Sequence, residues 1–239
     1  MYYYFTCFLL LLSLCLSGQG LPVCDSCQII EHRHYTLCYS EKHEQAKWVY
    51  YELTKAEVQS NTARKEAFRE DAKVATGSAS LADYKSSGYD RGHLAPAADM
   101  EMDSLAMAES FYMSNMSPQK PSFNRGIWKK LEMQVRDWAV QEDTILVVTG
   151  PVFVDNLGAI GENRVTVPGY YYKIILDVTG EKKIVAFLMK NEASSEELFH
   201  FTIPADSLEV LTGINFFPEL EAIVEKGEKG NANGFTFTL

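Results

Sequence analysis

Hydrophobic and polar positions alternate along several short stretches of the chain, which is the pattern of half-buried β-strands. Five β-rich runs predict strands at His32–Tyr39, Lys47–Leu53, Thr144–Thr149, Tyr170–Val178 and Lys183–Met189. The last two runs are separated by a short polar segment with a glycine, Gly180, which favours a hairpin turn. Neighbouring strands are therefore expected to pair mainly in the antiparallel direction.

Apolar residues recur at helical spacing in other parts of the chain. The predicted helices are Asp103–Tyr112, Asn124–Val140, Ser194–Leu198 and Ser207–Thr212. Strands and helices are mixed without a regular βαβ alternation, which predicts an α+β fold around a mixed, mainly antiparallel sheet. No repeat, low-complexity segment or Pro/Ser-rich linker interrupts residues 21–239, so we expect them to form a single domain.

The first twenty residues contain no charged side chain, and their apolar run ends in small and polar residues. This pattern favours a signal peptide over residues 1–20, because a spanning helix needs about 20 apolar residues. A buried core helix is the alternative interpretation. We expect an exported, unlipidated protein, periplasmic or extracellular, without membrane contact after signal removal.

Three cysteines follow the predicted signal peptide, and three is an odd number for pairing. Cys24 and Cys27, with His32, His34 and Cys38 nearby, offer possible zinc ligands, but their spacing fits no common zinc knuckle. In an oxidising compartment, two of the cysteines can pair and leave one thiol free. The sequence therefore favours a disulfide over a structural zinc site.

Composition and charge narrow the class of protein. The chain of 239 residues is 46% hydrophobic and 23% charged, which is typical of a soluble globular domain and excludes collagen-like, disordered and coiled-coil proteins. Its formal net charge of −10 argues against long-range attraction to nucleic acid or anionic membranes. Much of that charge lies in residues 191–239, which hold nine acidic and two basic side chains.

A conspicuous candidate for chemistry is the tetrapeptide DRGH at residues 90–93, in the long irregular stretch from Ala72 to Met102. Signatures of P-loops, zinc proteases, serine hydrolases and dinucleotide-binding folds are absent from the sequence. A neutral imidazole at His93 could take a proton from water, and Arg91 could hold a phosphate oxygen. The alternative is a buried His93 paired with Asp90 in an ordinary turn.

A second candidate is Asn124, at the start of a predicted amphipathic helix. The helical pattern places it toward the apolar face, where its amide either caps the helix or binds a hard divalent cation. Residues 118–138 carry five basic and two acidic side chains, a local charge of +3. This local excess supports a phosphate-binding surface, although mixed charge is also common on ordinary helix faces.

Three motifs, in order and spacing, resemble the DNA/RNA non-specific endonuclease family. They are DRGHLAP at 90–96, MSNMSPQ at 113–119 and FNRGIWKKLE at 123–132. This is the ββα-metal group, which includes endonuclease G and the secreted sugar-nonspecific bacterial nucleases. A weaker resemblance extends from about Tyr35 to Leu220.

The resemblance implies a ββα-metal finger active site and a role for each matching residue. His93 would be the general base, and Asn124 the one direct protein ligand of a Mg²⁺ ion, with Mn²⁺ as an alternative ion. The other implied site residues hold phosphate oxygens, order the site or hold metal-bound water: Arg64, Asp90, Arg91, Asn115, Glu132 and Arg136. Arg64 and Arg136 match the family pattern more loosely than His93 does.

The resemblance therefore implies an exported, Mg²⁺-dependent, sequence-nonspecific endonuclease that cuts DNA and RNA and leaves 5′-phosphate ends. Its substrates would be held through backbone phosphates, which carry no base sequence information. The alternative is a non-catalytic surface or partner-binding protein that keeps the nuclease fold. The sequence leaves the oligomeric state open, with a homodimer as one alternative.

Overall fold

The computed structural model describes residues 20–179 and 182–218, so the predicted signal peptide lies almost wholly outside the described residues. The strands, numbered in chain order, are β1 (Gln28–Glu31), β2 (Thr36–Ser40), β3 (Gln45–Thr54), β4 (Asp90–His93), β5 (Met116–Gln119), β6 (Thr144–Val152), β7 (Ala159–Ile160), β8 (Val165–Thr166), β9 (Tyr170–Asp177), β10 (Lys183–Lys190) and β11 (Thr202–Ile203). A seven-stranded sheet has the order β1-β2-β3-β6-β9-β10-β11. All of its neighbouring strands pair antiparallel, which confirms the predicted mainly antiparallel α+β fold.

The α-helices are short except for one. They are α1 (Lys55–Val58), α2 (Leu81–Tyr84), α3 (Ser104–Ser110), α4 (Pro121–Phe123), α5 (Lys129–Glu142) and α6 (Ala205–Thr212). The Asp103 carboxylate caps α3 by accepting hydrogen bonds from the backbone N–H groups of Leu105 and Ala106, both at 2.8 Å. Over residues 20–179 and 182–218, no helix is both long and apolar enough to cross a membrane.

The sheet is buried on both faces because its strands send alternate apolar side chains to opposite sides. Val147 and Ile175 contact one core, which also contains Trp138 of α5. Val148 contacts the other core, which also contains Leu208 of α6. The helix that follows the candidate metal ligand therefore packs on one defined face of the sheet.

The predicted strand His32–Tyr39 is partly wrong, because its first half is a turn between β1 and β2. The backbone N–H of His32 donates to the carbonyl oxygen of Tyr35 at 2.8 Å. The His32 ring is buried and pairs with Asp71, its Nε2 lying 2.9 Å from the carboxylate. This long-range pairing holds the ring in the core and ends the alternating strand pattern.

Two predicted helices differ from the structure. The helix predicted over Asn124–Val140 is broken: a π-helical turn spans Asn124–Trp128, where Gly126 leaves helical backbone angles with φ −106° and ψ −115°. The helix predicted over Ser194–Leu198 is replaced by a 3₁₀ turn at Leu198–Phe201. There the Ser194 hydroxyl accepts a hydrogen bond from the Glu196 N–H, and this local bond competes with helix formation.

The sulfur atoms of Cys27 and Cys38 form a disulfide, and Cys24 keeps a free thiol. The favoured pairing of two cysteines with one left over is therefore confirmed. Cys38 lies in β2, opposite Ile29 of β1, so the disulfide joins the start of β1 to its neighbouring strand.

Candidate active site on the β4–β5 hairpin

The DRGH tetrapeptide forms strand β4, where the sequence predicted irregular chain. It pairs antiparallel with β5, which places His93 opposite Met116 and Gly92 opposite Ser117. The Ser117 hydroxyl lies 2.6 Å from the Tyr171 hydroxyl, and Tyr171 in turn donates to the Pro118 carbonyl at 2.9 Å. These bonds fasten the hairpin to β9 of the central sheet.

Gly92 is required by the close approach of the two strands. A Cβ atom built at this position would lie 2.2 Å from the side chain of Gln119, which is fully buried. Glycine therefore lets β4 lie against β5 at this separation. The packing also fixes the position of the neighbouring His93.

The His93 ring lies among aromatic side chains and has an unpaired nitrogen. Its centroid is 5.1 Å from Phe111 and 5.9 Å from Phe68, and its buried Nε2 has no hydrogen-bond partner among the described residues. Burial, with the nearby charges of Arg64 and Arg91, lowers the pKa of His93 to about 3. The ring is therefore neutral near pH 7, and it does not pair with Asp90 as the ordinary-turn alternative requires.

Two arginines flank this histidine, each over an aromatic ring. The Arg91 guanidinium carbon lies 4.2 Å from the Phe68 centroid, and that of Arg64 lies 5.1 Å from the Phe111 centroid. Arg64 is 49% exposed and forms a surface ion pair with Glu66 at 3.0 Å. Arg91 has no ion pair with any described residue, so its charge is available to an anion beside His93.

Asp90 connects the hairpin to the π-helical turn. Its carboxylate accepts a 2.9 Å hydrogen bond from the Asn124 side-chain amide and two bonds from Arg125, at 2.8 and 2.6 Å. Burial raises the pKa of Asp90, but these bonds outweigh it and hold the pKa below its usual value. The Asn124 side chain therefore orients its N–H₂ toward Asp90, while its Oδ1 accepts no bond from a described residue.

Asp90, Arg91 and Asn124 line one cleft of about 430 Å³, together with Phe68 and Tyr89. The Asn124 side chain does not cap the N-terminus of the helix that follows, because it is bonded to Asp90 instead; Asn124 is the C-cap residue of the short helix α4. The cleft therefore brings Arg91 and the candidate metal ligand together. The candidate base does not line this cleft, but its ring lies beside Phe68, which does.

Glu132 and Arg136, half-buried on α5, lie beside the buried charges of Asp99 and Lys173. Burial raises the pKa of Glu132 above its usual value, while the nearby Lys173 opposes this shift. Arg136 donates to the Asp99 carboxylate at 2.8 Å, and Asp99 also accepts from Tyr51 at 2.7 Å. Arg136 is thus occupied by an internal ion pair, whereas the sequence suggested a phosphate contact.

Sequence reasoning missed Lys173, which is fully buried in β9. Its Nζ donates to the Thr149 hydroxyl at 2.5 Å and lies 5.0 Å from the Trp128 ring centroid. The surrounding run of β9 is apolar, and a lysine in such a run is the one sequence signal that could have indicated a buried charge pair.

Asn115 is also fully buried, with every hydrogen bond going to the backbone. Its Oδ1 accepts from the Ala95 N–H, and its Nδ2 donates to the carbonyl oxygens of Ala95 and Ser110, all at 2.9 Å. Ala95 follows His93 by two residues. Asn115 therefore holds the turn that leaves β4.

The chain is similar to nucleases in sequence and in structure. A sequence profile of the DNA/RNA non-specific endonuclease family matches residues 16–223. Human mitochondrial endonuclease G is 34% identical over 223 residues, covering 87% of this chain and 74% of that protein. A nuclease of Syncephalastrum racemosum is 35% identical over 229 residues, covering 85% of this chain and 71% of that protein.

A solved structure supports the same relationship. In the crystal structure of the EndoG/EndoGI complex, which addresses EndoG inhibition, one chain superposes with a TM-score of 0.76 and 30% identity. The match covers 80% of this chain and 86% of that one.

The expected periplasmic or extracellular location is wrong. The relatives include mitochondrial endonuclease G and the human mitochondrial nuclease EXOG, which is 34% identical over 209 residues, covering 80% of this chain and 57% of that protein. These names point to mitochondria rather than to an exported protein. An uncharged apolar start was therefore insufficient to assign the compartment.

The profile match extends over most of the chain, and the relatives above 30% identity are named nucleases. The predicted enzyme class, an endonuclease, is therefore confirmed, and dependence on a metal is consistent with it. This chain belongs to the DNA/RNA non-specific endonuclease family.

Proposed function

We propose that this chain hydrolyses phosphodiester bonds of DNA and RNA without reading the base sequence, with His93 as the general base and a divalent cation held by Asn124. The observation that carries the proposal is the His93 imidazole, with a buried, unpaired Nε2 and a lowered pKa, beside Arg91, which has no ion pair with a described residue. Such unpaired buried groups are uncommon unless they have a function.

His93 can act as a base because its environment disfavours the imidazolium form. The packing against Phe111 and Phe68 fixes the ring plane, so the nitrogen that takes a proton from water has a defined direction. Arg91 and Arg64 would hold non-bridging phosphate oxygens and stabilise the charge that develops on them. Contacts of this kind position the backbone and do not distinguish bases.

The Asn124 side chain fits a Mg²⁺ site. Its Oδ1 is a hard oxygen donor with no partner among the described residues, and the Asp90 bond fixes the amide orientation. A single protein oxygen suits Mg²⁺, which keeps most of its water, and Mn²⁺ accepts the same donors. When bound, the cation would stabilise the leaving 3′-oxygen, so that the products carry 5′-phosphate ends.

The proposal extends to residues 21–239 as one catalytic domain, and to a mitochondrial compartment by analogy with the named relatives. Asn115 would maintain the turn after His93, and Glu132 would hold water bound to the cation. The oligomeric state is left to measurement, with a homodimer as one alternative.

The test measures hydrolysis of duplex DNA, single-stranded DNA, duplex RNA and single-stranded RNA with Mg²⁺, with Mn²⁺ and with EDTA. We expect activity that EDTA abolishes. His93→Ala should lower kcat by about 10²–10⁴-fold, the contribution of a general base, with a nearly unchanged melting temperature. His200→Ala, at a histidine with 48% side-chain exposure, is the matched control and should keep wild-type activity.

Two results would contradict the proposal. Absence of metal-dependent hydrolysis on all four substrates would favour the non-catalytic partner-binding alternative. A large loss of stability in His93→Ala, together with residual activity in the folded fraction, would give this histidine a structural role.

A further inference from the structure

Cys24, Cys27 and Cys38 form a sulfur cluster, and the nuclease function does not use it. The Cys24 Sγ lies 3.1 Å from the Cys38 Sγ and 3.9 Å from the Cys27 Sγ. Cys38 packs in the core on one face of the sheet, whereas Tyr171, which anchors the β4–β5 hairpin, packs on the other. The cluster is therefore separated from the candidate active site by the sheet.

Several contacts fix Cys24 beside the other two cysteines. The preceding residue, Val23, exchanges two backbone hydrogen bonds with Asn215, at 2.8 and 2.9 Å. The following residue, Asp25, accepts a 2.5 Å bond from Lys47 at its carbonyl oxygen. Ser26 has a φ of 58°, and this turn brings the sulfurs of Cys24 and Cys27 together. The cluster is therefore held by the fold on both sides of Cys24.

Two chemistries suit three adjacent sulfurs: internal thiol–disulfide exchange and binding of a soft metal ion. For thiol–disulfide exchange, the Cys24 sulfur would attack Cys38 along the axis of the Cys27–Cys38 bond. In that line, it would lie about 5 Å from the leaving Cys27 sulfur. The separation is 3.9 Å, so Cys24 lies alongside the pair. This position does not suit attack, but it does suit a third ligand.

We propose that Cys24, Cys27 and Cys38, when reduced, form a three-thiolate site for a soft divalent cation of the Zn²⁺ class. A dithiol reductant would supply two electrons and two protons to the Cys27–Cys38 bond and itself become a disulfide. Binding of the cation then displaces the thiol protons. Cys24 and Cys27 are partly exposed, which leaves the fourth position open to water.

The two sulfur separations that involve Cys24 lie near those of a thiolate-bound metal ion. With a Zn–S bond of about 2.3 Å, tetrahedral geometry places thiolate sulfurs about 3.8 Å apart. The Cys24–Cys27 separation already matches, and the Cys24–Cys38 separation needs to widen by about 0.7 Å. The Cys27 and Cys38 sulfurs are covalently bonded in the structure, so reduction must let them move apart to about 3.8 Å before all three can bind one ion. Within the described part of the chain, this is the one group of three His, Cys, Asp or Glu ligand atoms that lie within 4.8 Å of one another.

The experiment uses the full chain without Mg²⁺, reduced by a phosphine that is then removed under anaerobic conditions. We titrate it with Co²⁺ and with Zn²⁺, and record the thiolate-to-cobalt charge-transfer absorption and the zinc content after gel filtration. Reduced protein should bind one ion per chain, and zinc should raise its melting temperature. The oxidised protein should show neither effect.

Cys24→Ser should lower the apparent zinc affinity at least about tenfold, because it removes one of three ligands. Cys15→Ser, at a cysteine outside the described residues, is the matched control and should bind as wild type does.

The proposal is overturned if reduced wild type lacks the charge-transfer band, or if Cys24→Ser retains its full intensity. Peptide mapping that finds Cys24 in a disulfide after mild oxidation would establish exchange in place of metal binding. These readouts do not involve nuclease activity, so they succeed or fail independently of the proposed function.

Discussion

At the scale of single residues, His93 and Arg136 show how two site residues implied by the same family resemblance take different structural roles. His93 keeps an unpaired nitrogen in an aromatic enclosure, which has a cost in stability and is compatible with a function. Arg136 forms an ion pair with Asp99, whose side chain is only 1% exposed. The first residue is available for chemistry, and the second is half-buried and engaged with a buried carboxylate.

His93 should make the free energy of unfolding decrease as the pH is lowered. Its pKa is about 3 in the folded protein, below the value near 6.5 in the unfolded chain, so the unfolded chain binds the additional proton between these pH values. The stability that the neutral His93 ring contributes is fully present above pH 6.5, and it is lost as the pH falls toward 3. Between pH 7 and pH 4, wild type should lose roughly 3 kcal/mol more unfolding free energy than His93→Asn. Denaturant unfolding at both pH values measures this, and parallel curves for the two proteins would contradict it.

Removing Arg136 should destabilise the fold. Arg136→Ala leaves the Asp99 carboxylate buried without its charged partner, which costs about 3–5 kcal/mol. Lys130→Ala, which breaks an exposed pair with Glu197, is the control and should cost at most about 1 kcal/mol. Urea unfolding compares the two variants. An unchanged stability in Arg136→Ala, with a raised KM, would instead indicate a direct phosphate contact.

At the scale of elements, the site depends on a short hairpin and a broken helix. β4 presents Arg91 and His93, while β5 carries Ser117, through which the hairpin is bonded to the sheet. The π-helical turn then presents Asn124 to Asp90 before α5 begins. Each element is too short to be stable alone, so the spacing of the site is set by the packing between them.

Gly92→Ala tests the close approach of β4 and β5. The added methyl group would overlap the Gln119 side chain and force β4 and β5 apart. This shift should lower the free energy of unfolding by about 1–3 kcal/mol, and it should lower kcat/KM because it displaces His93. Gly92→Ala combined with Gln119→Ala should recover part of both losses, because the second change removes the overlapping atoms. Thermal melting and kinetics on duplex DNA measure the two effects. A double variant no better than Gly92→Ala would contradict this explanation.

At the scale of the whole molecule, the net charge of −10 conceals an uneven distribution. The segment from 118 to 138 is positive, whereas residues 191–239 carry most of the negative excess. The electrostatic field at His93 therefore depends on the nearby Arg64 and Arg91 rather than on the total charge. Long-range attraction to nucleic acid should be modest, and binding should depend on a few direct contacts.

The salt dependence of binding tests this distribution. Two phosphate contacts predict that log Kd rises with log salt with a slope near 2, since each contact contributes about 0.9 for duplex DNA. His93→Ala protein, which should bind without cleaving, is suited to the titration. Arg64→Gln in that background should reduce the slope by about 1. A slope of about 5 or more would show a broader basic surface.

The sequence by itself determined what local pattern controls. Strands β3, β6, β9 and β10 follow apolar runs long enough to fix their type, and the Asp103 cap fixed the start of α3. The sequence also indicated the family, because the order and spacing of the three motifs can be read without knowing the structure. The sequence did not identify β4, since four residues with one charged pair carry no strand periodicity without β5.

Tertiary structure alone decided the state of each charged side chain. Three contacts join residues that lie more than twenty positions apart in the sequence. They are the Arg136–Asp99 ion pair, the Lys173–Thr149 hydrogen bond and the Asn124–Asp90 hydrogen bond. The gathering of three sulfurs likewise depends on the β1–β2 register and on the Val23–Asn215 bridge. Composition and periodicity cannot encode these contacts, because the free energy of a charge or thiol depends on neighbours that only folding brings within a few ångströms.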